Sequence, residues 1–535
     1  MVLVAVSGGQ SQLWVRRLDR AASRPLPGTE GASAPFWSPD NRFVAFFGDR
    51  KLKKVALTGG SPQVICDSSA GRGGAWSPRG VIVFAPTING SLFRVADSGG
   101  EPVPLTRFDA SRQENAHYWP QFLSDGRRFI YLARSARPDL STIQLGFADA
   151  TPESQPRTRL LNSLTSVAFV PRGQGFPSQV LFVRNGTLLA QRFDERSAQV
   201  EGEPVSVREG VGAVAFVGLA DFSTSQEGTL VYGTGSNSLA RLTWWSREGK
   251  QLGSLGPPGT YLAPRLSPDG SVLAVTRADP QTGSADVWIM DSARNSESRF
   301  TFDPAFDFHP VWSADGKRIL FSSNRTGAFN LFEKEVTGRT PERQLSRTDQ
   351  TQLAEDWSRD GRFALFLDQQ ANSAQDLWIL PLQVPGKPFP FARTGSGKRN
   401  GQFSPNGHWI AYDSDETGSY QVYVQAFSGE ERPHGAKWQI SISGGSQPRW
   451  RSDGREIFYI GTDRKLMSVE VSEPNSTFQA ATPQTLFDAG VLAINDFSFV
   501  YDVAPDGKRF LLVTPANQDR AAPLSILTNF RAQLK

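Results

Sequence analysis

A turn motif that recurs about every 45 residues constrains the fold of this chain more than any other feature. Nine times an apolar strand runs into a Ser-Pro-Asp-Gly-like turn, and a second apolar strand follows. The copies are FWSPDN (Phe36–Asn41), AWSPRG (Ala75–Gly80), FLSDG (Phe122–Gly126), LSPDG (Leu266–Gly270), WSADG (Trp312–Gly316), WSRDG (Trp357–Gly361), FSPNG (Phe403–Gly407), WRSDG (Trp450–Gly454) and VAPDG (Val503–Gly507). From Gly270 to Gly454 the turn glycines are 45 to 47 residues apart. Such periods are typical of propellers and repeat arrays.

One repeat predicts four short antiparallel strands. His309–Trp312 is the first strand, Lys317–Ser322 the second, Phe329–Glu335 the third and Glu342–Leu345 the fourth. The second strand is apolar on both faces, which favours a sheet packed between two others. Four strands per repeat make one propeller blade, so we predict an all-β fold. The tryptophans that precede the turns are predicted to be buried between blades: Trp312, Trp357 and Trp450.

The number of repeats predicts two tandem β-propellers. About twelve units are recognisable, and one ring typically holds four to eight blades, so two rings of six are the simplest division. We assign residues 1–237 to the first propeller, whose N-terminal blade is incomplete, and residues 238–535 to the second. The last unit covers Phe497–Asn529, and Leu239–Gly256 is expected to pair with these C-terminal strands and close the second ring. Val2–Val6 is expected to leave an unpaired inner edge.

Composition and motifs exclude several classes of partner and site. Basic and acidic residues number 57 and 53, and no basic block suits nucleic acid. Cys66 is the only cysteine, so we predict neither an internal disulfide nor a cysteine metal cluster. No apolar run approaches the ~20 residues of a membrane helix, and no signal peptide is recognisable, so we expect no membrane insertion by this chain and a cytoplasmic location by default.

Longer stretches carry a resemblance to a known family. The segments are Arg24–Asp67, Trp119–Ala133, Gly401–Phe427 and Gly444–Ile460. They resemble the WD40-like repeats of TolB-type propellers, and are closer still to the double-propeller sensor region of bacterial transmembrane serine/threonine kinases. The resemblance covers essentially the whole chain and implies an extracytoplasmic sensor module. The kinase domain and membrane helix that precede such propellers are not found, so the chain reads like a detached or truncated module, or one with a misplaced start.

The sequence contains no recognisable catalytic motif. It lacks the G-x-S-x-G elbow of serine hydrolases, the G-x-x-x-x-G-K-[ST] loop that binds phosphates and the H-E-x-x-H zinc motif. The kinase loops that bind ATP and carry the catalytic Asp are also missing. We therefore predict no catalytic residues, no metal site, no cofactor and no enzymatic activity.

One group of residues is a candidate binding site. Residues just before and within the first strands of the second propeller should gather at the mouth of its channel, where mixed charges and amides are typical of a polar binding site. They are Arg265, His309, Glu355, Asp356, Asn400, Gln402, Gln447 and Arg449. The other interpretation is a solvated channel whose side chains pair with one another and bind nothing.

Two functions from different classes remain open on these residues. The leading hypothesis is a non-catalytic sensor or scaffold module that binds a protein, peptide or envelope ligand. The alternative is a hydrolase or lyase with Glu355 and Asp356 as acid and base. Neighbouring residues of a strand point to opposite faces, which argues against a cooperating pair.

Overall fold

A computed structural model describes the chain except residues 8–9, 21, 174, 235–238, 280–281, 292, 295, 370–374, 384–385, 393–394, 432–435, 475–476, 492–497, 517–523 and 535. The described part consists of antiparallel β-sheets and contains no α-helix. Short 3-10 turns lie at Ala110–Arg112, Pro138–Leu140, Ala215–Val217 and Phe530–Leu534. The chain forms two compact units. Unit 1 comprises Met1–Ser238, Pro280–Gly283 and Asp519–Lys535, and unit 2 comprises Leu239–Asp279 and Ser284–Gln518.

The sheets of unit 1 follow the chain order. The first has three strands, β1 (Val2–Ser7), β2 (Gln10–Arg16) and β3 (Ser23–Pro25). Four sheets of four strands follow: β4 (Ser33–Trp37), β5 (Phe43–Gly48), β6 (Lys51–Ala56) and β7 (Gln63–Asp67); β8 (Gly74–Trp76), β9 (Val81–Phe84), β10 (Phe93–Ala96) and β11 (Val103–Pro104); β12 (Glu114–Phe122), β13 (Arg128–Ser135), β14 (Thr142–Phe147) and β15 (Arg159–Asn162); β16 (Ala168–Val170), β17 (Gln179–Arg184), β18 (Thr187–Asp194) and β19 (Gln199–Glu209). The pairs β20 (Ala213–Val214) with β21 (Leu219–Ala220) and β22 (Phe222–Thr224) with β23 (Leu230–Tyr232) complete it.

Unit 2 has the same organisation. It begins with β24 (Ala240–Ser246), β25 (Gln251–Leu266), β26 (Val272–Ala278), β27 (Ala285–Asp291) and β28 (Ser296–Arg299). Four sheets follow: β29 (Asp307–Trp312), β30 (Arg318–Ser323), β31 (Asn330–Glu335) and β32 (Arg343–Gln344); β33 (Thr351–Trp357), β34 (Phe363–Gln369), β35 (Asp376–Pro381) and β36 (Phe389–Ala392); β37 (Lys398–Phe403), β38 (Trp409–Ser414), β39 (Gln421–Ala426) and β40 (Lys437–Gln439); β41 (Ser446–Trp450), β42 (Glu456–Ile460), β43 (Lys465–Ser472), β44 (Gln479–Ala480) and β45 (Gln484–Asp488). The unit ends with β46 (Tyr501–Val503) and β47 (Arg509–Pro515), and β48 (Ser525–Leu527) lies in unit 1.

The two ends of unit 2 pair with each other. β24 runs antiparallel to β47, from Ala240 opposite Pro515 to Ser246 opposite Arg509. The long strand β25 pairs with β24 over its first part and with β26 over its second part. It therefore belongs to two sheets, and the strands β46, β47, β24 and β25 form a four-stranded sheet with segments from both ends of the unit.

The first strands of the sheets in unit 2 follow one another around a closed path. These strands, called the six first strands below, are β25, β29, β33, β37, β41 and β46. Each contacts the next, and β46 contacts β25. This order of contacts is what a propeller requires. The predicted fold class, an all-β chain of four-stranded antiparallel sheets, is confirmed; two rings of six blades stay a prediction.

The C-terminal strand lies elsewhere than expected. We predicted that the strands of Phe497–Asn529 would all belong to the last blade of the second ring. Instead β48 pairs with β23 of unit 1, with Leu527 opposite Leu230. Phe530 is fully buried there in an apolar cluster that includes Leu181 and Leu188. Burial of these apolar side chains stabilises the C-terminal segment in unit 1.

Hydrogen bonds explain why the turn motif recurs. The Ser358 hydroxyl donates to Asp360 at 2.7 Å and accepts the Phe363 amide at 2.9 Å. Asp360 accepts the Arg362 amide at 3.0 Å, and Gly361 adopts a φ of 73°, which favours glycine. The same serine and aspartate (or asparagine) bonds form at Ser38, Ser267, Ser313 and Ser404. The turns thus end every first strand at one end of unit 2, called the turn end. The opposite end, where β29, β33, β37, β41, β46 and the second part of β25 begin, is called the entry end.

Candidate functional site

A β-bulge interrupts the pairing of five of the six first strands with their second strands. The pairing register shifts between Leu262 and Arg265 in β25, and at equivalent places in β29, β33, β37 and β41. Four residues in these bulges have positive φ, which is uncommon for residues other than glycine: Ala263, His309, Asn400 and Gln447. Bulges turn side chains away from the regular alternation of a strand. They divide the predicted site residues into two layers.

All eight predicted site residues lie on the first strands of unit 2. His309, Glu355, Asn400 and Gln447 occupy the bulges and form the entry layer. Arg265, Asp356, Gln402 and Arg449 each stand two positions before the first residue of a turn motif and form the inner layer. Seven of the eight are buried and Gln402 is half-buried. Whether they bind a ligand stays a prediction.

Ion pairs connect first strands within the inner layer, one between the non-adjacent β25 and β33 and one between the neighbouring β41 and β46. Arg265 Nη2 donates to Asp356 Oδ1 at 2.5 Å and to the Glu355 carbonyl oxygen at 3.0 Å. Arg449 Nε lies 3.2 Å from Asp502 Oδ1, outside good hydrogen-bond geometry. Arginine and carboxylate therefore alternate around the layer, and their charges balance.

Acceptor side chains of this layer also link neighbouring first strands through the backbone. Asp356 Oδ2 accepts the Phe403 amide at 2.8 Å, and Asp502 Oδ2 accepts the Leu266 amide at 2.7 Å. Gln402 Oε1 accepts the Trp450 amide at 2.7 Å. Part of the polarity of this layer is therefore structural, because each acceptor satisfies a buried N–H of the next strand.

Asp413 of β38 organises the entry layer. It accepts hydrogen bonds from Arg399 Nε at 2.9 Å, Asn400 Nδ2 at 2.8 Å and the Gln447 amide at 3.1 Å. The Gln447 side chain in turn donates to the Ser498 carbonyl at 2.8 Å. His309 Nδ1 lies 3.1 Å from the Ala354 carbonyl oxygen. Asn400 and Gln447 are thus fixed in position.

Two buried groups keep unused hydrogen-bonding capacity. Within the described part of the chain, Glu355 Oε2 and Arg449 Nη1 have no hydrogen-bond partner. The Arg449 guanidinium stacks on the Phe499 ring, 3.5 Å from its centroid, and Arg265 lies 5.8 Å from the same centroid. These atoms can accept a hydrogen bond from, or donate one to, a group that enters the layers.

Burial controls ionisation in both layers. It raises the pKa of Glu355 well above its ordinary value, with the nearby charge of Asp413 adding to the effect. Burial also raises the pKa of Asp356 to about 6, against the attraction of Arg265, and raises the pKa of Asp502. Glu355 is therefore protonated over a wider pH range than an exposed carboxyl group.

Three residues of the site were not predicted from the sequence. Asp502 could have been found, because it stands two positions before Ala504 just as Arg265 stands two positions before Ser267. Asp413 lies on a second strand and Phe499 in a loop before β46, so the repeat register gives no signal for either.

The loops at the entry end carry two very exposed apolar side chains. Phe302, between β28 and β29, is 64% exposed, and Ile442, between β40 and β41, is 68% exposed. Among the described residues they are the two most exposed large apolar side chains.

Two other features are absent from the part of the chain that the structure describes. That part contains no group of three or more His, Cys, Asp or Glu side chains placed to hold a metal ion. No described helix is long and apolar enough to cross a membrane.

Comparison with known proteins is consistent with the architecture. The four-stranded sheets and their ring of first strands define the β-propeller class. Residues 245–387 match the family described as the TolB beta propeller domain. This match runs from the last two residues of β24 to just after β35 in unit 2.

Named relatives share only part of the chain. The Tol-Pal system protein TolB of Francisella tularensis subsp. tularensis (strain WY96-3418) is 25% identical over 163 residues, 30% of this chain and 37% of that protein. A solved TolB-type structure from Agrobacterium tumefaciens is 16% identical with a TM-score of 0.42, over 52% of this chain and 99% of the other. The tricorn protease is 12% identical with a TM-score of 0.31, over 91% of this chain and 63% of the other.

Proposed function

We propose that this protein is a non-catalytic binding module of the sensor or scaffold type, which binds a protein or peptide ligand at the entry end of unit 2. The observation that carries the proposal is the pair of layers on the first strands, where buried Arg449 and Glu355 keep unused hydrogen-bonding atoms. Exposed Phe302 and Ile442 at the same end would supply apolar contacts around this polar centre.

The comparisons support the same class of function. The relatives are named as proteins of the Tol-Pal system, and from that name we take the idea of a module that works within an assembly of proteins. The resemblance to kinase sensor propellers implies an extracytoplasmic ligand, and we adopt this envelope ligand in place of the cytoplasmic default. We expect neither nucleic acid nor a cofactor to take part.

Photo-crosslinking at the entry end tests this proposal. A photoreactive amino acid placed at Phe302 or at Ile442 should form discrete adducts with a protein from envelope extract. Both positions are exposed, so the substitution leaves the core unchanged. The matched control is Leu252, which is 50% exposed on β25 next to the turn end. Adducts of equal yield at all three positions, or none at Phe302 and Ile442, would contradict a ligand site at the entry end.

One observation favours the alternative, a hydrolase or lyase. A buried carboxyl group with a raised pKa, such as Glu355, is a common property of general acids. Its sequence neighbour Asp356 is held by Arg265 and by the Phe403 amide, so the two do not act as a free carboxylate pair.

A substrate screen separates the two functions. We expect no turnover by the full chain with a broad set of hydrolase and lyase substrates. If turnover appears and falls on the order of 10²–10⁴-fold in Glu355→Gln, Glu355 is a general acid and the binding-module proposal is wrong. Glu473→Gln, at the turn end, is the control for a carboxyl-to-amide change elsewhere in the unit.

A further inference from the structure

A cavity of about 530 Å³ lies at the turn end of unit 2, away from the layers described above. Two neighbouring turns, residues 404–406 and 452–455, line it together with residues 471–473 and Arg359. Its volume falls within the range of small-ligand sites. None of these residues belongs to the predicted site or to the proposed function.

Glu473 builds one wall of this cavity. It follows directly after β43 and reaches the neighbouring sheet, where its carboxylate accepts Asn406 Nδ2 at 2.8 and 3.0 Å. The same carboxylate accepts Trp409 Nε1 at 2.5 Å. Three hydrogen bonds from neutral donors hold Glu473 across the boundary between the two sheets, so this wall is fixed.

Some charged side chains around the cavity are paired with an opposite charge and others are not. Arg451 donates to both oxygens of Asp453, at 2.7 and 2.8 Å, and neutralises it. Arg359 and Arg455 differ, because their guanidinium groups make no hydrogen bond or ion pair within the described part of the chain. Two arginines that the described residues leave without a hydrogen-bonded partner therefore line the cavity together with the Glu473 carboxylate, whose Oε2 lies 3.8 Å from His408 Nδ1.

We propose that this cavity binds a carboxylate ligand, either a short diacid or an acidic peptide segment, through Arg359 and Arg455. Guanidinium groups bind carboxylates through pairs of hydrogen bonds. The lining has one excess positive charge once Arg451 and Asp453 are paired, which suits an anionic ligand, and each of the two arginines can bind one carboxylate. Each exposed arginine is free to move toward the ligand without disrupting a contact.

Probes matched in size test whether binding depends on the carboxylates, and whether a free diacid or a peptide is preferred. Glutarate and the capped peptide acetyl-Asp-Glu-amide present carboxylates, whereas glutaramide and acetyl-Asn-Gln-amide are neutral and of similar size. We expect the full chain to bind at least one acid, and neither neutral probe, in titration calorimetry or ligand-observed NMR. The acid that binds more tightly identifies the source. Equal binding of an acid and its amide, or no binding of either acid, would overturn the proposal.

Variants with opposite expected effects locate the site. The double variant Arg359→Gln/Arg455→Gln should weaken acid binding about tenfold, the loss expected when charged hydrogen bonds are removed. Glu473→Gln should strengthen it, because repulsion of the ligand is removed. The control is Arg347→Gln, an exposed arginine between β32 and β33 at the entry end. Unchanged binding in the double variant would show that the acid binds elsewhere. Because the cavity and the entry end are separate, neither result bears on the proposed function, which the crosslinking experiment at the entry end tests.

Discussion

Replacing Trp312 by alanine is expected to lower the free energy of unfolding by on the order of 3–5 kcal/mol. The side chain is 7% exposed and packs between two sheets, against Val287 of β27 and Phe321 of β30. Its Nε1 also donates to the Arg265 carbonyl oxygen at 2.9 Å. The variant would leave a cavity between the sheets and an unsatisfied carbonyl group, and urea denaturation of the two proteins measures the difference.

Trp37 is a matched control for this substitution. It precedes its turn serine just as Trp312 does, but it is 38% exposed. The sheet that precedes Trp37 is the three-stranded β1–β3, which offers less surface for packing. Trp37→Ala should therefore cost about 1 kcal/mol. Equal losses in the two variants, or an unchanged midpoint for Trp312→Ala, would contradict the packing of these sheets.

Local sequence signals predicted the strands and turns well. The repeat that contains Trp312 was expected to have strands over His309–Trp312, Lys317–Ser322 and Phe329–Glu335, and β29, β30 and β31 match them closely. The turns were also predictable from local sequence, because the serine, aspartate and glycine that form each turn lie within five residues of one another. The burial of Trp312, Trp357 and Trp450 is also confirmed.

Long-range pairing was harder to predict. Strand β48 is three residues long and has no turn motif beside it, so nothing local indicated its pairing with β23. The site shows the same limit, because Arg265 and Asp356 are 91 positions apart and Leu266 and Asp502 are 236 apart. Only an alignment of repeats brings such residues together, and Asp413 falls outside the aligned positions altogether.

The buried carboxyl groups predict an unusual dependence of stability on pH. Burial raises the pKa of Asp356 to about 6, whereas the same group in the unfolded chain titrates near its ordinary value of about 4. Between these values the folded protein binds more protons than the unfolded chain, so the free energy of unfolding falls as the pH rises from about 4 to about 6. Asp356 alone would contribute about 3 kcal/mol to this loss. Asp413 and Asp502, whose pKa values are also raised by burial, add to it with the same sign.

Asp356→Asn isolates this contribution. The variant removes one titrating group, so its stability should fall less steeply between pH 4.5 and 6.5 than that of the wild-type protein, by up to about 1.4 kcal/mol per pH unit. Asp360→Asn is the control, because hydrogen bonds from Ser358 and Arg362 lower the pKa of Asp360, and its effect on stability is confined to lower pH. Denaturant titrations across this range measure all three slopes. A wild-type slope equal to that of Asp356→Asn would mean that Asp356 is already ionised at pH 4.5, and that the inner layer is open to water instead of buried.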